Sequence, residues 1–389
     1  MAKKHDKISI YVESIPLVED RPSGVAHSIA GLITELAKNS KFREHYEVVL
    51  VAPKRGLHKL DRWPGLRSCR RLGLPFRMRI LNGLMKFHLL PPMDLFLGKG
   101  VYLFGNFKNW PVSKHSVSFT YIHDICYALF PEFVAPKNQQ MLIKNVPKFI
   151  KQTDYVITVS ESSRREVMDF YKLPGNTVVS LYNGVNRDLY TTYPTAEVSR
   201  VKKKYKIEGD YFFYLGNIEP RKNLENLVKA FNMLPHDKSL VIVGGSGWLN
   251  EGVIAAIDQA KDEGAKIIKP ETFVPDDDVA RLLAGAVALV HPAFHEGFGM
   301  TPAEAMASHV PVVVSDIPVM HEVVGDVGIY CDPHDVGSIA QGMEKAAAFS
   351  SKERKQITAN GAKRVKQFSW SASAEKLVDY IQKDRRLEW

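Results

Sequence analysis

His295-Glu296-Gly297-Phe298-Gly299-Met300-Thr301-Pro302-Ala303-Glu304-Ala305-Met306-Ala307 follows directly on a short apolar run at 287–290. A short apolar run, a turn punctuated by glycines and then a helical pattern form the repeating unit of a parallel sheet. The two glycines leave the backbone free to approach a ligand closely. Thr301 stands where an N-cap belongs, Pro302 at the first helical position and Glu304 three residues after the cap, which predicts a capping box and a helix from 301 to 307. A helix start of this kind points free amides out of the sheet and predicts an anion site suited to a nucleotide diphosphate. Capping accounts for Glu304. It does not account for Glu296, a carboxylate beside a glycine loop at a strand end.

The same alternation extends in both directions. Beyond 287–290, the runs 211–215, 239–243, 266–268 and 310–314 read as strands. The stretches 223–234, 249–263 and 276–284 read as helices, and three further helical stretches end near residue 383. In the first half, 8–12, 46–51, 101–104, 117–121, 155–159 and 177–181 read as strands, and 23–38 and 136–151 as helices. Ser160 is placed to cap the helix after 155–159. Residues 186–210 break the rhythm and read as a linker with a short helix. Buried strands alternating with amphipathic helices predict parallel sheets covered on both faces. Two such runs predict two doubly wound, Rossmann-like α/β domains, at 1–190 and 191–370, with a last helical segment at 371–389. Ligands of such sheets bind at the carboxyl ends of the strands.

Two further segments sit at strand ends. Leu215-Gly216-Asn217-Ile218-Glu219-Pro220-Arg221-Lys222-Asn223-Leu224 opens the second domain's first helix. Gly216 allows a tight turn. Arg221 and Lys222 bring two cations to a helix start, where they oppose the helix dipole and so need another purpose. Stabilising a departing diphosphate is one, because fixed cations lower the barrier as negative charge develops. Tyr121-Ile122-His123-Asp124 ends a strand of the first domain, where a His-Asp pair serves as a catalytic dyad, a metal pair or a packed core histidine. Ser23-Gly24, Thr158-Val159-Ser160-Glu161-Ser162 and Tyr182-Asn183-Gly184-Val185 are weaker signals, each also explained as an ordinary turn or cap.

The Glu-x7-Glu spacing of Glu296 and Glu304, with Gly297-Phe298-Gly299 and Glu304-Ala305-Met306-Ala307, resembles the signature of the GT4 family of retaining glycosyltransferases. The likeness runs from Gly24 to about Trp370. It implies the GT-B architecture, two Rossmann-like domains facing a cleft, with the acceptor on the first and the nucleotide sugar on the second. It implies that Glu296 contacts the donor sugar and Glu304 the ribose. The loop from Gly216 to Asn223 resembles the family's phosphate-binding loop, with one departure: Asn217 stands where many members carry arginine, and Arg221 is expected to supply that cation beside Lys222. The glycine loop through Met300 and Thr301, and Gly24 in the first domain, are implied as further donor contacts. By the same resemblance His123 faces the donor sugar, and the final helix crosses back to the first domain. The Glu-Pro-Arg-Lys-Asn loop is similar to that of bacterial polysaccharide mannosyl- and rhamnosyltransferases. This favours a GDP-mannose donor, with dTDP- or UDP-linked sugars next, and a saccharide or lipid-linked acceptor. A sugar-nucleotide epimerase and a non-catalytic binding homologue share the architecture and stay open as alternatives.

Composition is consistent with this reading. The chain has 389 residues, 45% hydrophobic and 24% charged, ordinary values for a globular enzyme of two domains. There is no apolar run long enough to span a bilayer and no leader-like start, so a cytoplasmic protein is expected. Cys69, Cys126 and Cys331 have no metal-ligand spacing and read as buried thiols. No Asp-x-Asp pair or His/Cys cluster calls for a metal, and no cofactor is expected beyond the nucleotide sugar. The formal net charge of +9 is carried by one segment: residues 54–88 hold ten Lys or Arg against Asp61 alone. Interleaved apolar residues there suit an anionic membrane surface better than a nucleic-acid groove, and a solvated surface accounts for the same residues.

Overall fold

The computed structural model describes residues 7–20, 22–74, 83–85, 89–245, 247 and 251–387. The chain divides into two compact units. One comprises 1–125, 140–184 and 368–389, the other 126–139 and 185–367.

The first unit is built on seven parallel strands: β1 (Ile8–Glu13), β2 (Tyr46–Pro53), β3 (Arg70–Leu74), β4 (Val101–Phe104), β5 (Val117–Tyr121), β6 (Tyr155–Thr158) and β7 (Val178–Ser180), in the order β3-β2-β1-β4-β5-β6-β7. β3 was not expected. It lies inside the basic segment as an edge strand, where Arg70 and Arg71 stay at the surface and only Leu74 is fully buried, so no hydrophobic run announces it. Leu60 and Leu66, from the same basic segment, are also buried. The expected basic and apolar residues at 75–82 and 86–88 lie outside the described residues. The C-terminal helix Trp370–Gln382 packs on Gly24–Lys38 within this unit. The Trp370 ring lies so close to Gly31 that an added Cβ there would sit 2.3 Å from it. Ser160 caps the helix Glu161–Tyr171, accepting a hydrogen bond from the Ser163 amide at 2.9 Å.

The second unit holds six parallel strands: β8 (Tyr211–Leu215), β9 (Ser239–Val243), β10 (Lys266–Ile268), β11 (Ala288–His291), β12 (Val312–Ser315) and β13 (Gly328–Cys331), ordered β10-β9-β8-β11-β12-β13. Tyr211 to Tyr214 are buried without a break, as a strand covered on both faces requires. The strand order reverses between β8 and β11, and ligands of open parallel sheets bind beyond the carboxyl ends of the strands at such a switch point. Both glycine-containing motifs of this unit leave from those two strands. The three cysteines are buried and free. Among the described residues no helix is long and apolar enough to cross a membrane, and no group of His, Cys, Asp or Glu is arranged to hold a metal ion.

Candidate active site

The loop after β8 is shaped by backbone contact with the loop after β9. Gly216 N–H donates to Val243 O and Ile218 N–H to Gly245 O, both at 3.0 Å. A Cβ on Gly244 would lie 1.9 Å from the Gly216 carbonyl oxygen, so only glycine permits the approach. The run Val243-Gly244-Gly245 closes β9 as Gly216 follows β8, and that parallel is the sequence signal for this contact. The loop then makes a single 3-10 turn, Pro220–Lys222, closed by Asn223 in the left-handed region at φ 58°. The Asn223 side chain, 3% exposed, donates to Pro292 O at 2.9 Å and Pro333 O at 2.6 Å. Asn223 thereby ties the cation loop to the loops after β11 and β13, a role its place in the motif did not reveal.

These ties bring Lys222 and Arg221 onto Glu296. Lys222 Nζ donates to Glu296 Oε1. Arg221 Nη1 lies 3.2 Å from Oε2 and the same distance from His295 O, while its Nε is 3.3 Å from Glu219 Oε2. Asn217 donates to Glu219 Oε1 at 3.3 Å, so Asn217 reaches the same anion as Arg221. His291, at the end of β11, holds its Nε2 2.8 Å from Glu296 Oε1. Burial alone would raise the Glu296 pKa, but Lys222 and Arg221 hold it well below the usual carboxylate range. Burial lowers the His291 pKa despite the neighbouring carboxylate, so the ring is neutral and its Nε2–H is the donor. Nδ1 of that ring has no hydrogen-bond partner among the described residues. A bare buried acceptor costs about 1–3 kcal/mol.

The helix that carries Glu304 differs from expectation. It runs Met300–Ala307, starts one residue early, and has Gly299 at its N-cap with φ 92° and no capping side chain. Thr301 is not the cap and Glu304 closes no capping box. The left-handed turn at Gly299 lets Met300 enter the helix at once, and an added Cβ there would lie 2.7 Å from Met320 Cε. Pro302 is tolerated because first-turn amides have no intrahelical partner. Glu304 then lies too deep to reach back. Its buried carboxyl group meets the Tyr190 hydroxyl and faces Asp276, and burial, then Asp276, push its pKa up to about 8. Phe298 and Gly297 are buried beside this turn, and Met300 and Thr301 are half-buried at the helix start.

The remaining candidates belong to the first unit. His123 follows β5, stacks on Tyr121 with ring centroids 5.1 Å apart, and holds Nε2 2.9 Å from Gly105 O. Burial lowers its pKa. Gly24 opens the helix Gly24–Lys38, and among the described residues no heavy atom lies within 4 Å of an added Cβ.

The second unit is therefore a parallel α/β domain with a cationic loop, a glycine turn and two buried carboxyl groups at its switch point. Residues 195–364 match the family model described as "Glycosyl transferases group 1", and the chain carries a domain of that family. The fold is that of the GT-B glycosyltransferases. A sucrose-phosphate synthase from Thermosynechococcus elongatus aligns over 97% of this chain and 99% of its own with a TM-score of 0.74 at 18% identity. The O-antigen chain mannosyltransferase B of Escherichia coli is 33% identical over 256 residues, 64% of this chain and 66% of that protein. The serotype-specific mannosyltransferase WbdA of Escherichia coli is 27% identical over 266 residues, 66% of this chain. The matched region thus spans just under two thirds of the first relative and 32% of the second.

Proposed function

We propose that this chain is a metal-independent glycosyltransferase of the GT4 type. It moves a mannosyl unit from GDP-mannose to a saccharide or lipid-linked acceptor in cell-surface polysaccharide synthesis, with retention at the anomeric carbon. The observation that carries this reading is the Glu296 carboxylate held between Lys222, Arg221 and His291 at the strand-order switch. A carboxylate with so low a pKa is not a proton donor. It is a fixed anion that accepts a hydrogen bond from a sugar hydroxyl and stabilises positive charge on an oxocarbenium-like transition state. Lys222 and Arg221 supply the charge that a departing diphosphate needs, and the start of the helix Met300–Ala307 offers amides to the same group. Glu304 takes the ribose, and His123 a sugar hydroxyl. Attack is from the front face, with the donor phosphate receiving the acceptor's proton. The two mannosyltransferase relatives support mannose over rhamnose. The protein works in the cytoplasm, at the inner face of an anionic membrane reached through the basic segment.

A thermal-shift panel of GDP, UDP, dTDP and their common sugars, without added metal, tests the reading. A ligand that binds only the folded chain raises its melting temperature. Stabilisation by GDP and GDP-mannose that is lost in Lys222→Ala and Glu304→Ala is expected. Transfer to a defined acceptor with an inverted anomeric centre would rule out retention, and turnover of the donor with no acceptor present would favour the epimerase.

A further inference from the structure

We propose that His291 is a positioning residue that keeps the Glu296 carboxylate aimed while the two cations exchange partners. The proposal rests on the reading of Glu296 as the residue that takes the donor sugar. Among the described residues three groups hold that carboxylate, and they differ in where they are anchored. Lys222 and Arg221 lie on the 3-10 turn Pro220–Lys222 of the loop that follows β8. Each ends in donors that turn readily towards a new anion, and a diphosphate is the stronger one. His291 belongs to β11 itself, is 1% exposed, and presents its N–H from a planar ring fixed by the sheet. When Lys222 and Arg221 swing to a diphosphate, the hydrogen bond from His291 Nε2 to Glu296 Oε1 is the one with no competing ligand.

The cost of the histidine supports the assignment. The ring is buried beside two cations, which disfavour its charged form, and its Nδ1 has no partner among the described residues. A leucine of similar bulk would fill the end of β11 without that bare acceptor. Packing therefore gives no reason for a histidine here, whereas the Nε2–H to Glu296 does. The charged groups facing the ring are Glu296, Lys222 and Arg221.

The test compares His291→Leu, which removes the donor, with His291→Gln, whose amide places an N–H near the position of Nε2. In the Leu variant kcat should fall at least about tenfold with the donor KM within about twofold, and the Gln variant should recover to within about threefold of wild type. Stabilisation by GDP alone should be unchanged in both, while the extra stabilisation that the sugar of GDP-mannose adds should be lost only in the Leu variant. Wild-type kcat in the Leu variant, or equal losses in two variants that melt like wild type, would overturn the assignment. A second measurement needs no turnover and no variant of His291. The 15N resonances of the His291 ring in the wild-type chain should report a neutral Nε2–H tautomer, with an Nε2 signal that moves in Glu296→Gln. An Nδ1–H tautomer or a doubly protonated ring would sink the proposal even if the chain transferred mannose. A protein that neither binds nor transfers any nucleotide sugar would instead refute the proposed function, and the ring resonances would still decide the hydrogen bond.

Discussion

Glu296 and Glu304 stand eight residues apart and titrate in opposite directions. Glu296 is surrounded by cations and keeps its charge, whereas Glu304 has burial and Asp276 against it and keeps its proton up to about pH 8. An acid with a raised folded pKa is protonated in the native state where the unfolded chain has already lost its proton. Stability therefore falls as pH rises from the ordinary carboxyl value near 4.5 to about 8. Glu304→Gln should raise the melting temperature at pH 8 by at least about 2–4 °C, the equivalent of roughly 1 kcal/mol, and leave it nearly unchanged at pH 4.5. The same variant should weaken nucleotide binding, so stability and ligand affinity move in opposite directions. An equal shift at both pH values would mean that Glu304 is not the titrating group. Glu296 has the opposite sign: its contribution is present above pH 4.5 and is lost below it. Lys222→Ala leaves Glu296 with Arg221 and His291, so its cost should fall below the ~3–5 kcal/mol of a buried pair left with no other partner. Urea unfolding at pH 7 measures this, and a loss above that range would show that Arg221 and His291 do not hold the carboxylate.

At the scale of elements, the sharpest constraint lies where the loops after β8 and β9 touch. Gly244→Ala places a Cβ against the backbone carbonyl of Gly216, and no rotamer relieves a clash with backbone. The loops must separate, Arg221 and Lys222 move with them, and the variant should lose both stability, by several kcal/mol as a rough scale, and its response to GDP. Gly245→Ala is the control, since among the described residues its added Cβ would meet the Asn217 side chain alone, at 3.2 Å. A Gly244→Ala chain that melts and binds like wild type would show that the close approach is dispensable. The strands most readily legible in the sequence were those buried on both faces. β4, β5, β8 and β9 have the bounds that their apolar runs suggest. β3 escaped because an edge strand with Arg70 and Arg71 outward has no such run. The helix start at Met300 is hidden in the sequence because Thr301-Pro302-Ala303-Glu304 fits a capping box so well. A positive φ at Gly299 decides the start instead, and residue type alone does not reveal it. Arg221, Lys222 and Glu296 stood out as charges at strand ends. His291 did not, because a histidine closing an apolar strand gives no sign of which way its ring nitrogens point.

For the molecule as a whole, the open matter is where its positive charge acts. Lys59, Arg70 and Arg71 are paired with Asp20, Glu47 and Asp61, and Leu60, Leu66 and Leu74 are buried. The described part of the basic segment therefore spends several of its apolar residues on the core of the first unit and part of its charge on neighbours. A surface that binds lipid headgroups needs apolar side chains that are not so spent. Such side chains follow directly in the sequence: Leu89, Leu95 and Phe96 are 67%, 71% and 69% exposed, and the last two lie on the short helix Asp94–Leu97. Co-sedimentation with anionic vesicles separates the two contributions. At low salt the wild-type chain should bind, and at about 0.5 M salt, where the Debye length falls well below 10 Å, most of the binding should be gone. Leu95→Ser with Phe96→Ser should remove what remains at high salt while leaving the low-salt attraction largely in place. Binding that ignores salt would exclude an electrostatic role for residues 54–88, and absence of binding at low salt would make the segment ordinary surface.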